Sequence, residues 1–462
     1  MSAESRQRPV LQRLRLEIRG VVQGVGFRPF VYTCAKSCGL SGFVGNKTSG
    51  VFIEIEGAKT NLREFQRLLR ENPPPLSHIT SIESKEIELK FENDFYIAES
   101  DTQTDKNTLV SPDVSVCDDC LHEMFNGDDR RFRYPFINCT NCGTRFTIIK
   151  DIPYDRSKTT MSVFQMCELC QNEYDNPLSR RFHAQPNACQ NCGARVWFQE
   201  KLTCGSGRAN NIFGEDAILA AQKVLCSGGI VAVKGIGGFH LACDARNNAA
   251  LRILRERKGR VDKPFAVIVR DLVAAENLVE MGEAERKLVT GKERPIVLLK
   301  KKAENELSEL VAPGNRFLGV MLPYSPIHHL LLNSIAEKFR SLDVLVMTSG
   351  NFSNEPITKD NDEALKKLLH LADAFLLHDR DIFVPCDDSV VRVFENHELP
   401  IRRSRGYAPF PVQLPFKLPP VLAVGGELKA TFCLAKDKFA FMSQHLGDME
   451  NLETLHAFEK SV

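Results

Sequence analysis

The chain has 462 residues, a length that accommodates about three domains. Its 43% hydrophobic and 26% charged residues indicate a soluble globular protein with an ample core. The net charge of +1 argues against a broadly basic nucleic-acid-binding protein. No apolar run approaches the length of a membrane span and the N-terminus has no apolar signal-peptide core, so we expect a cytoplasmic protein without a membrane partner.

Residues 10–100 are predicted to form a small domain with the order βαββαβ, the ferredoxin-like plan. The predicted elements are a strand at Leu14–Ile18, a helix at Phe30–Cys38, strands at Phe43–Asn46 and Val51–Glu56, a helix at Asn61–Arg70 and a last strand at Phe95–Ala98. A polar stretch without periodicity, Asp101–Asp113, is predicted to link this domain to the next.

The turn after the first strand is glycine-rich and ends in an arginine, in the order Gly20-Val21-Val22-Gln23-Gly24-Val25-Gly26-Phe27-Arg28. Glycines at a strand end allow backbone N–H groups to form an anion nest, and the next helix begins there. A bare tight turn is the plain alternative. Together with Asn46 in the strand Phe43–Asn46, however, the segment resembles the acylphosphatase signature. That resemblance implies that Arg28 binds phosphate and Asn46 positions the attacking water.

Eight of the fifteen cysteines form four CxxC pairs within residues 110–200, and the pattern C-x2-C-x18-C-x2-C occurs twice, fifty residues apart, so this segment is predicted to be a double zinc finger. Two CxxC turns supply a tetrahedral Zn(Cys)4 shell, so we predict two zinc ions with structural roles. Disulfides are the alternative, but they require an oxidising compartment. Sequential and interleaved pairings of the CxxC turns satisfy the same spacing. The predicted ligands are Cys117, Cys120, Cys139, Cys142, Cys167, Cys170, Cys189 and Cys192.

After a polar stretch at Lys201–Asn211, residues 210–412 are predicted to form an α/β domain. A basic segment contains Lys258, Arg260 and Lys263, and a β-like run at Val344–Met347 opens into Ser349 and Asn351. A solvated helix face and an ordinary turn are the plain interpretations of each segment alone. Together they resemble the K-x-R…S-x-N set of the YrdC/Sua5 family, which makes acyl-adenylates from ATP. The resemblance implies an ATP site formed by these five residues, with lysine and arginine neutralising the triphosphate.

The three domains in this order resemble the HypF family, the carbamoyltransferases of nickel–iron hydrogenase maturation. Gly237–Leu241, Cys386–Val390 and Arg403–Pro409 also fit that family. The resemblance implies three steps: hydrolysis of carbamoyl phosphate, formation of carbamoyl-adenylate from ATP, and transfer of the carbamoyl group to the C-terminal cysteine of HypE. Residues 418–462 resemble only the beginning of the family's last, transferase domain. We therefore expect a truncated chain or an incomplete gene product that lacks the final transfer step.

Two other functions remain as alternatives. A threonylcarbamoyl-adenylate synthase for tRNA modification would use the same basic set. Those enzymes, however, carry a T-(D/E)-T-V-Y-G-L-type segment where this chain has Val233–Leu241, which suggests a different acyl substrate. A nonenzymatic zinc protein that binds RNA or another partner would use the CxxC repeats, but the neutral charge and few aromatic residues near the basic run oppose it.

Overall fold

The computed structural model describes residues 11–47, 50–74, 76–98, 109–152, 154–201, 211–333, 342–352 and 355–462. Part of each predicted linker lies outside them: residues 101–108 of the first and residues 202–210 of the second. Residues 10, 99, 100 and 210, at or near the predicted domain boundaries, also lie outside the described ranges. These boundaries remain proposals.

The N-terminal module is a five-stranded sheet with two helices. Its elements are β1 Leu11–Val21, α1 Phe27–Ser37, β2 Ser41–Lys47, β3 Gly50–Ala58, α2 Lys59–Glu71, β4 His78–Ile87 and β5 Phe95–Ile97. The strand order β4-β1-β3-β2-β5 contains the ferredoxin-like arrangement, which confirms the predicted fold. Apolar side chains of β1 and β3 pack against the buried faces of α1 and α2, represented by Leu16, Ile53, Val31 and Phe65.

The last predicted strand is present as β5 Phe95–Ile97, but a strand before it was not predicted. The strand that follows α2 and pairs with β1 is β4, whereas Phe95–Ile97 adds a parallel edge strand beside β2. The side chains of β4 are all exposed or half-buried, because the strand lies at the edge of the sheet. Its sequence, His78–Ile87, therefore lacks the regular alternation of apolar and polar residues that identifies a strand with one buried face.

The cysteine-rich segment consists of two similar units, each with one short helix, α3 Asp118–Phe125 and α4 Glu168–Asp175. The first cysteine of each unit, Cys117 or Cys167, is the N-cap residue of its helix. Brief 3-10 turns lie between the helices at Arg156–Lys158 and Thr160–Val163. Cys120, Cys142 and Tyr134 belong to the same apolar core as the large sheet of the next module, so this segment is packed into the protein rather than tethered to it.

The large module contains a mixed sheet of twelve strands among the described residues, in the order β17-β16-β12-β13-β10-β14-β9-β8-β15-β6-β7, with β11 paired to β12. The strands are β6 Val196–Glu200, β7 Ile212–Phe213, β8 Val231–Lys234, β9 Phe239–Asp244, β10 Ala266–Val269, β11 Val279–Glu280, β12 Ile296–Lys301, β13 Phe317–Met321, β14 Val344–Ser349, β15 Ala374–His378, β16 Val390–Phe394 and β17 His397–Arg402. The helices are α5 Glu215–Cys226, α6 Asn248–Lys258, α7 Leu272–Leu278, α8 Glu283–Thr290, α9 Pro326–Leu332 and α10 Asn361–Lys367.

Both faces of this sheet are covered. Val231 and Val233 of β8 pack with α5 and α9, whereas Ala232 between them packs with α6 and α7 on the other side. This burial explains why the central strands are almost continuously apolar. β6 lies within the predicted zinc segment, but it pairs with β15 and β7 and so belongs to this sheet.

The C-terminal part has a hairpin, β18 Val412–Val424 and β19 Phe432–Met442, followed by α11 Leu452–Ser461. The hairpin forms its own two-stranded sheet, separate from the large one. None of the helices within the described residues has the length and apolar character needed to cross a membrane.

Candidate functional sites

The eight predicted zinc ligands form two clusters, and each cluster joins consecutive CxxC turns. In the first, Sγ–Sγ distances are 3.7 Å for Cys117–Cys139, 3.8 Å for Cys139–Cys142 and 3.6 Å for Cys142–Cys120. The second repeats these distances as 3.8, 3.8 and 3.6 Å among Cys167, Cys189, Cys192 and Cys170. A tetrahedral ion with Zn–S bonds of about 2.3 Å separates its sulfurs by about 3.8 Å. Both clusters therefore fit Zn²⁺, and the pairing is sequential.

Arginines cross between the two zinc units. Arg180 of the second unit contacts the Cys120 sulfur of the first at 3.3 Å and pairs with Glu123 at 2.7 Å. In return, Arg130 of the first unit contacts the Cys170 sulfur of the second at 3.3 Å. Burial opposes ionisation of Glu173, but its bond to Arg131 prevails and lowers the pKa of this carboxyl to about 2. These contacts place positive charge against thiolate shells that would otherwise be strongly negative.

In the N-terminal module, the structure brings Arg28 and Asn46 together. Arg28 lies in the first turn of α1, two residues after Gly26, whose φ of 74° favours glycine. α1 begins three residues before the predicted Phe30, so the arginine is part of the helix. With its amide oxygen turned towards Arg28, Asn46 accepts bonds of 3.2 and 3.3 Å from the guanidinium. Both side chains are buried, and they lie beside the glycine-rich turn.

The zinc segment covers this site. A small cavity of about 20 Å³ beside Arg28 is lined from the other side by Thr140, Tyr154 and His183. Asp155 lies 3.5 Å from the guanidinium of Arg28. Burial, with the Arg28 charge as a second cause, lowers the pKa of His183 to about 4, so this imidazole is neutral at pH 7. No sequence pattern indicates this contact, because the two modules meet only through tertiary packing.

Two bridges fix the glycine-rich turn against the zinc segment. Arg145 donates from Nε to the Gly24 carbonyl at 2.8 Å and from its other nitrogens to the carbonyls of Gly143 and Thr140. Gln23 donates to the Gly50 carbonyl at 2.9 Å and accepts from the backbone N–H of Tyr154 at 3.3 Å. The glycine-rich turn is therefore held in shape from both modules.

In the large module, all five predicted ATP-binding residues line one cavity of about 640 Å³. They are Lys258, Arg260, Lys263, Ser349 and Asn351. Lys258 and Arg260 come from the end of α6 and the loop after it, and Ser349 ends β14. The solvated-helix interpretation does not hold for Lys258, which is 3% exposed. A cavity of this size with convergent cations is suited to a nucleotide.

The Lys258 ammonium is held by the loop that follows β14. Its Nζ donates to the carbonyls of Ser349 and Asn351 at 2.8 and 2.6 Å, and to the Asn351 side-chain oxygen at 2.9 Å. Burial, with the neighbouring charge of Arg260 as the second cause, lowers the pKa of Lys258 to about 7. A phosphate group bound there would favour the charged ammonium.

The cavity also contains a buried polar group that sequence analysis did not assign. His240 Nε2 lies 2.9 Å from one oxygen of Asp388, and the other oxygen accepts a 2.7 Å bond from Arg405 Nε. The Arg405 guanidinium stacks over the Tyr324 ring, 3.4 Å from its centre. His240 and Asp388 are 148 positions apart in the chain, so no local pattern could have connected them.

Family models match the chain in four parts. The acylphosphatase model matches residues 14–97, and the HypF finger matches residues 116–149 and 166–199. The Sua5/YciO/YrdC model, described as telomere recombination, matches residues 223–404, and the HypF Kae1-like domain matches residues 417–462. Carbamoyltransferase HypF of Rhizobium leguminosarum bv. viciae is 47% identical over 98% of the chain. The chain belongs to the HypF family.

Further HypF proteins agree with this result. Carbamoyltransferase HypF2 of Cupriavidus necator is 45% identical over 98% of the chain. A full-length HypF crystallised in a phosphate- and nucleotide-bound form is 48% identical over 98% of the chain, with a TM-score of 0.92. The chain spans 57% of the length of these two curated HypF relatives and 58% of that crystallised chain. The family and the fold class predicted from the sequence are confirmed.

Proposed function

We propose that this chain carries out the first two chemical steps of carbamoyl transfer in hydrogenase maturation. Carbamoyl phosphate would be hydrolysed at the Arg28 site, and the carbamate would react with ATP in the large cavity. The complete HypF protein would then pass the carbamoyl group to the C-terminal cysteine of HypE, as the precursor of the iron-bound cyanide. The observation that carries the proposal is that one chain contains both an Arg28–Asn46 pair at a glycine-rich turn and a cavity large enough for a nucleotide, lined by Lys258, Arg260, Lys263, Ser349 and Asn351.

In the first step, the Arg28 guanidinium and the backbone N–H groups of the glycine-rich turn would bind the phosphate oxygens. Arg28 would also neutralise the charge that develops on these oxygens in the transition state. Asn46, which does not titrate, would orient the attacking water. The products are carbamate and inorganic phosphate. The burial of both side chains supports this assignment, because hydrogen bonds to phosphate are stronger where water is excluded.

In the second step, a carbamate oxygen would attack the α-phosphorus of ATP, giving carbamoyl-adenylate and pyrophosphate. Lys258, Arg260 and Lys263 would neutralise the triphosphate and the departing pyrophosphate. Ser349 and Asn351 would bind phosphate or sugar oxygens from the loop after β14. Carbamate decomposes quickly in water, which gives a physical reason for joining both sites in one protein.

The two zinc ions are proposed to be structural. All four positions of each cluster are cysteine sulfurs, and three of the four in the first cluster lie in the packed core. Neither cluster has the mixed ligands of an open catalytic site. ATP and carbamoyl phosphate are substrates in this proposal, HypE is the protein partner, nucleic acid is not a partner, and the reaction takes place in the cytoplasm.

The alternative enzyme, a threonylcarbamoyl-adenylate synthase, is opposed by the segment around His240. This histidine and Asp388 form a polar part of the cavity wall beside Ser349, in a segment that differs from the one those enzymes carry. A nonenzymatic RNA-binding role is opposed by the burial of Lys258, since an RNA backbone needs accessible cations.

ATP–pyrophosphate exchange distinguishes these functions. In the presence of carbamoyl phosphate, the chain should exchange label between pyrophosphate and ATP. With threonine plus bicarbonate, or without substrate, it should show only background exchange. Lys258→Ala should lower the exchange by about a hundredfold or more, because it removes a preorganised charge contact. Lys366→Ala, an exposed lysine of α10, is the matched control. Exchange that depends on threonine would identify the tRNA-type enzyme, and no exchange with either substrate would reject both adenylation reactions.

A further inference from the structure

One wall of the nucleotide cavity comes from the C-terminal segment that the HypF Kae1-like model matches, residues 417–462. The cavity-lining residues of this segment are Leu428, Lys429, His445, Gly447 and Asp448. They belong to the turn between β18 and β19 and to the stretch between β19 and α11. The cavity is thus formed by two parts of the chain that different family models describe.

Lys429 has an unusual backbone conformation at this wall. Its φ is 54°, in the left-handed region that non-glycine residues rarely adopt. Its backbone N–H donates to the Asp448 carboxylate at 2.7 Å, and the next residue, Ala430, donates to the Gly447 carbonyl at 2.7 Å. The surrounding structure therefore imposes the conformation. Strained positions of this kind cluster at functional sites.

Lys429 lies within electrostatic range of Lys263, one of the three cations of the predicted ATP site. Burial is the main cause of the lowered pKa of Lys263; the Arg260 charge lowers it further, Asp448 partly compensates, and Arg402 and Lys429 make smaller contributions that lower it. Two lysines that face the same cavity repel each other when the cavity holds only water. A polyphosphate placed between them would convert that repulsion into attraction for both.

A buried contact anchors the segment next to this point. His445 Nδ1 donates to Asp387 Oδ2 at 2.9 Å, and the two side chains are only 13% and 10% exposed. Asp387 is adjacent to Asp388, the partner of His240. The two neighbouring carboxylates thus each hold one histidine. Asp388 holds His240 of the large sheet, and Asp387 holds His445 of the C-terminal segment.

We propose that the polyphosphate of the nucleotide is bound jointly by the large module and the C-terminal segment, with Lys429 as a fourth cation beside Lys258, Arg260 and Lys263. His445 and Asp387 are positioning residues that hold the segment over the cavity. This inference rests on the proposed ATP-dependent step. Because the segment contributes to the site, nucleotide binding and docking of the segment stabilise each other by linkage.

Binding measurements by calorimetry test the role of Lys429, with ATP and AMP as ligands and no carbamoyl phosphate. Lys429→Ala should weaken ATP binding by about tenfold, as expected for one charge-assisted contact. AMP binding should change by less than about twofold, because the contact is to the β- and γ-phosphates. Lys429→Arg should restore most of the ATP affinity. Lys438→Ala is the matched control, an exposed lysine of β19 outside the cavity.

Equal weakening of ATP and AMP, or unchanged ATP binding in Lys429→Ala, would overturn the proposal. Failure of the wild-type chain to bind ATP would instead reject the proposed function itself.

A second measurement concerns the positioning pair, His445 and Asp387. ATP should slow amide hydrogen exchange over residues 428–448 in the wild type, and this protection should largely disappear in His445→Asn. His456→Asn, in α11, is the control. If ATP does not change amide hydrogen exchange over residues 428–448 in the wild type, joint binding is contradicted.

Discussion

Arg180 and Cys120 lie in different zinc units, yet both terminal nitrogens of the arginine are 3.3 Å from the cysteine sulfur. The reverse contact, from Arg130 to Cys170, has the same distance. A Zn²⁺ ion with four thiolates carries a net charge of about −2, so a nearby guanidinium stabilises it electrostatically. Each unit therefore supplies an arginine that stabilises the other unit's cluster.

Arg180→Ala should accelerate zinc loss from the first cluster, although the arginine belongs to the second unit. Loss of such an outer contact typically weakens metal affinity by about 10–100-fold. Alkylation of cysteines under a chelator, followed by mass spectrometry, would show which cysteines become accessible first. We expect Cys117, Cys120, Cys139 and Cys142 to react early in the variant, and Arg195→Ala to behave as wild type. Preferential labelling of the second cluster would contradict the account.

The freshly purified, reduced chain should contain two zinc ions. Cys139→Ser should reduce this to one and unfold the surrounding segment, because structural zinc binding contributes directly to folding and Cys139 lies in the shared core. Metal analysis and circular dichroism measure the two effects. Cys433→Ser, a half-buried cysteine of β19 outside both clusters, should retain both ions. One zinc or none in the wild type would reject the two-site model.

Arg28→Ala should lower the hydrolysis of carbamoyl phosphate by about a hundredfold or more without unfolding the protein. Asn46→Ala should also be strongly impaired, because the water would lose its orienting amide. Phosphate release is the measurement, and Arg63→Ala, an exposed arginine of α2, is the control. Near-normal turnover in Arg28→Ala would show that this residue has no part in the reaction.

ATP binding should take up protons at pH 8. The pKa of Lys258 is lowered to about 7 in the free protein, chiefly by burial, and bound phosphates would raise it again. The lysine is then largely neutral before binding and charged afterwards. Affinity should be highest below pH 7 and should fall as the pH rises through the pKa of the complex.

Calorimetry in buffers with different ionisation enthalpies measures this uptake. Lys258→Arg, which stays protonated in both states, should bind ATP with much smaller uptake. Proton release on binding at pH 8 would contradict the assignment of Lys258 to the phosphates.

Local groupings of residues could be predicted from the sequence. The spacing of the cysteines identified both zinc clusters, but not the sequential pairing, because either pairing satisfies the same turns. Arg28 and Asn46 were connected through a known signature, and the structure places them in contact. By contrast, the edge strand β4 was missed because one-sided burial is too weak there to leave an apolar pattern.

Contacts between modules could not be predicted. Thr140, Asp155 and His183 approach Arg28 only because the zinc segment packs over the glycine-rich turn. Lys429 and His445 reach the nucleotide cavity through the docking of a segment about 170 positions after Lys258. Such contacts depend on tertiary packing, which a single sequence does not encode in any local periodicity.

The most direct test of two sites acting in series is pyrophosphate exchange by Arg28→Ala with two different substrates. With carbamoyl phosphate, this variant should lose exchange, because it supplies no carbamate to the second site. With freshly dissolved ammonium carbamate, exchange should return towards the wild-type rate, whereas Lys258→Ala should remain inactive with both substrates. Wild-type exchange by Arg28→Ala with carbamoyl phosphate would contradict the account, since adenylation would then not depend on the first site.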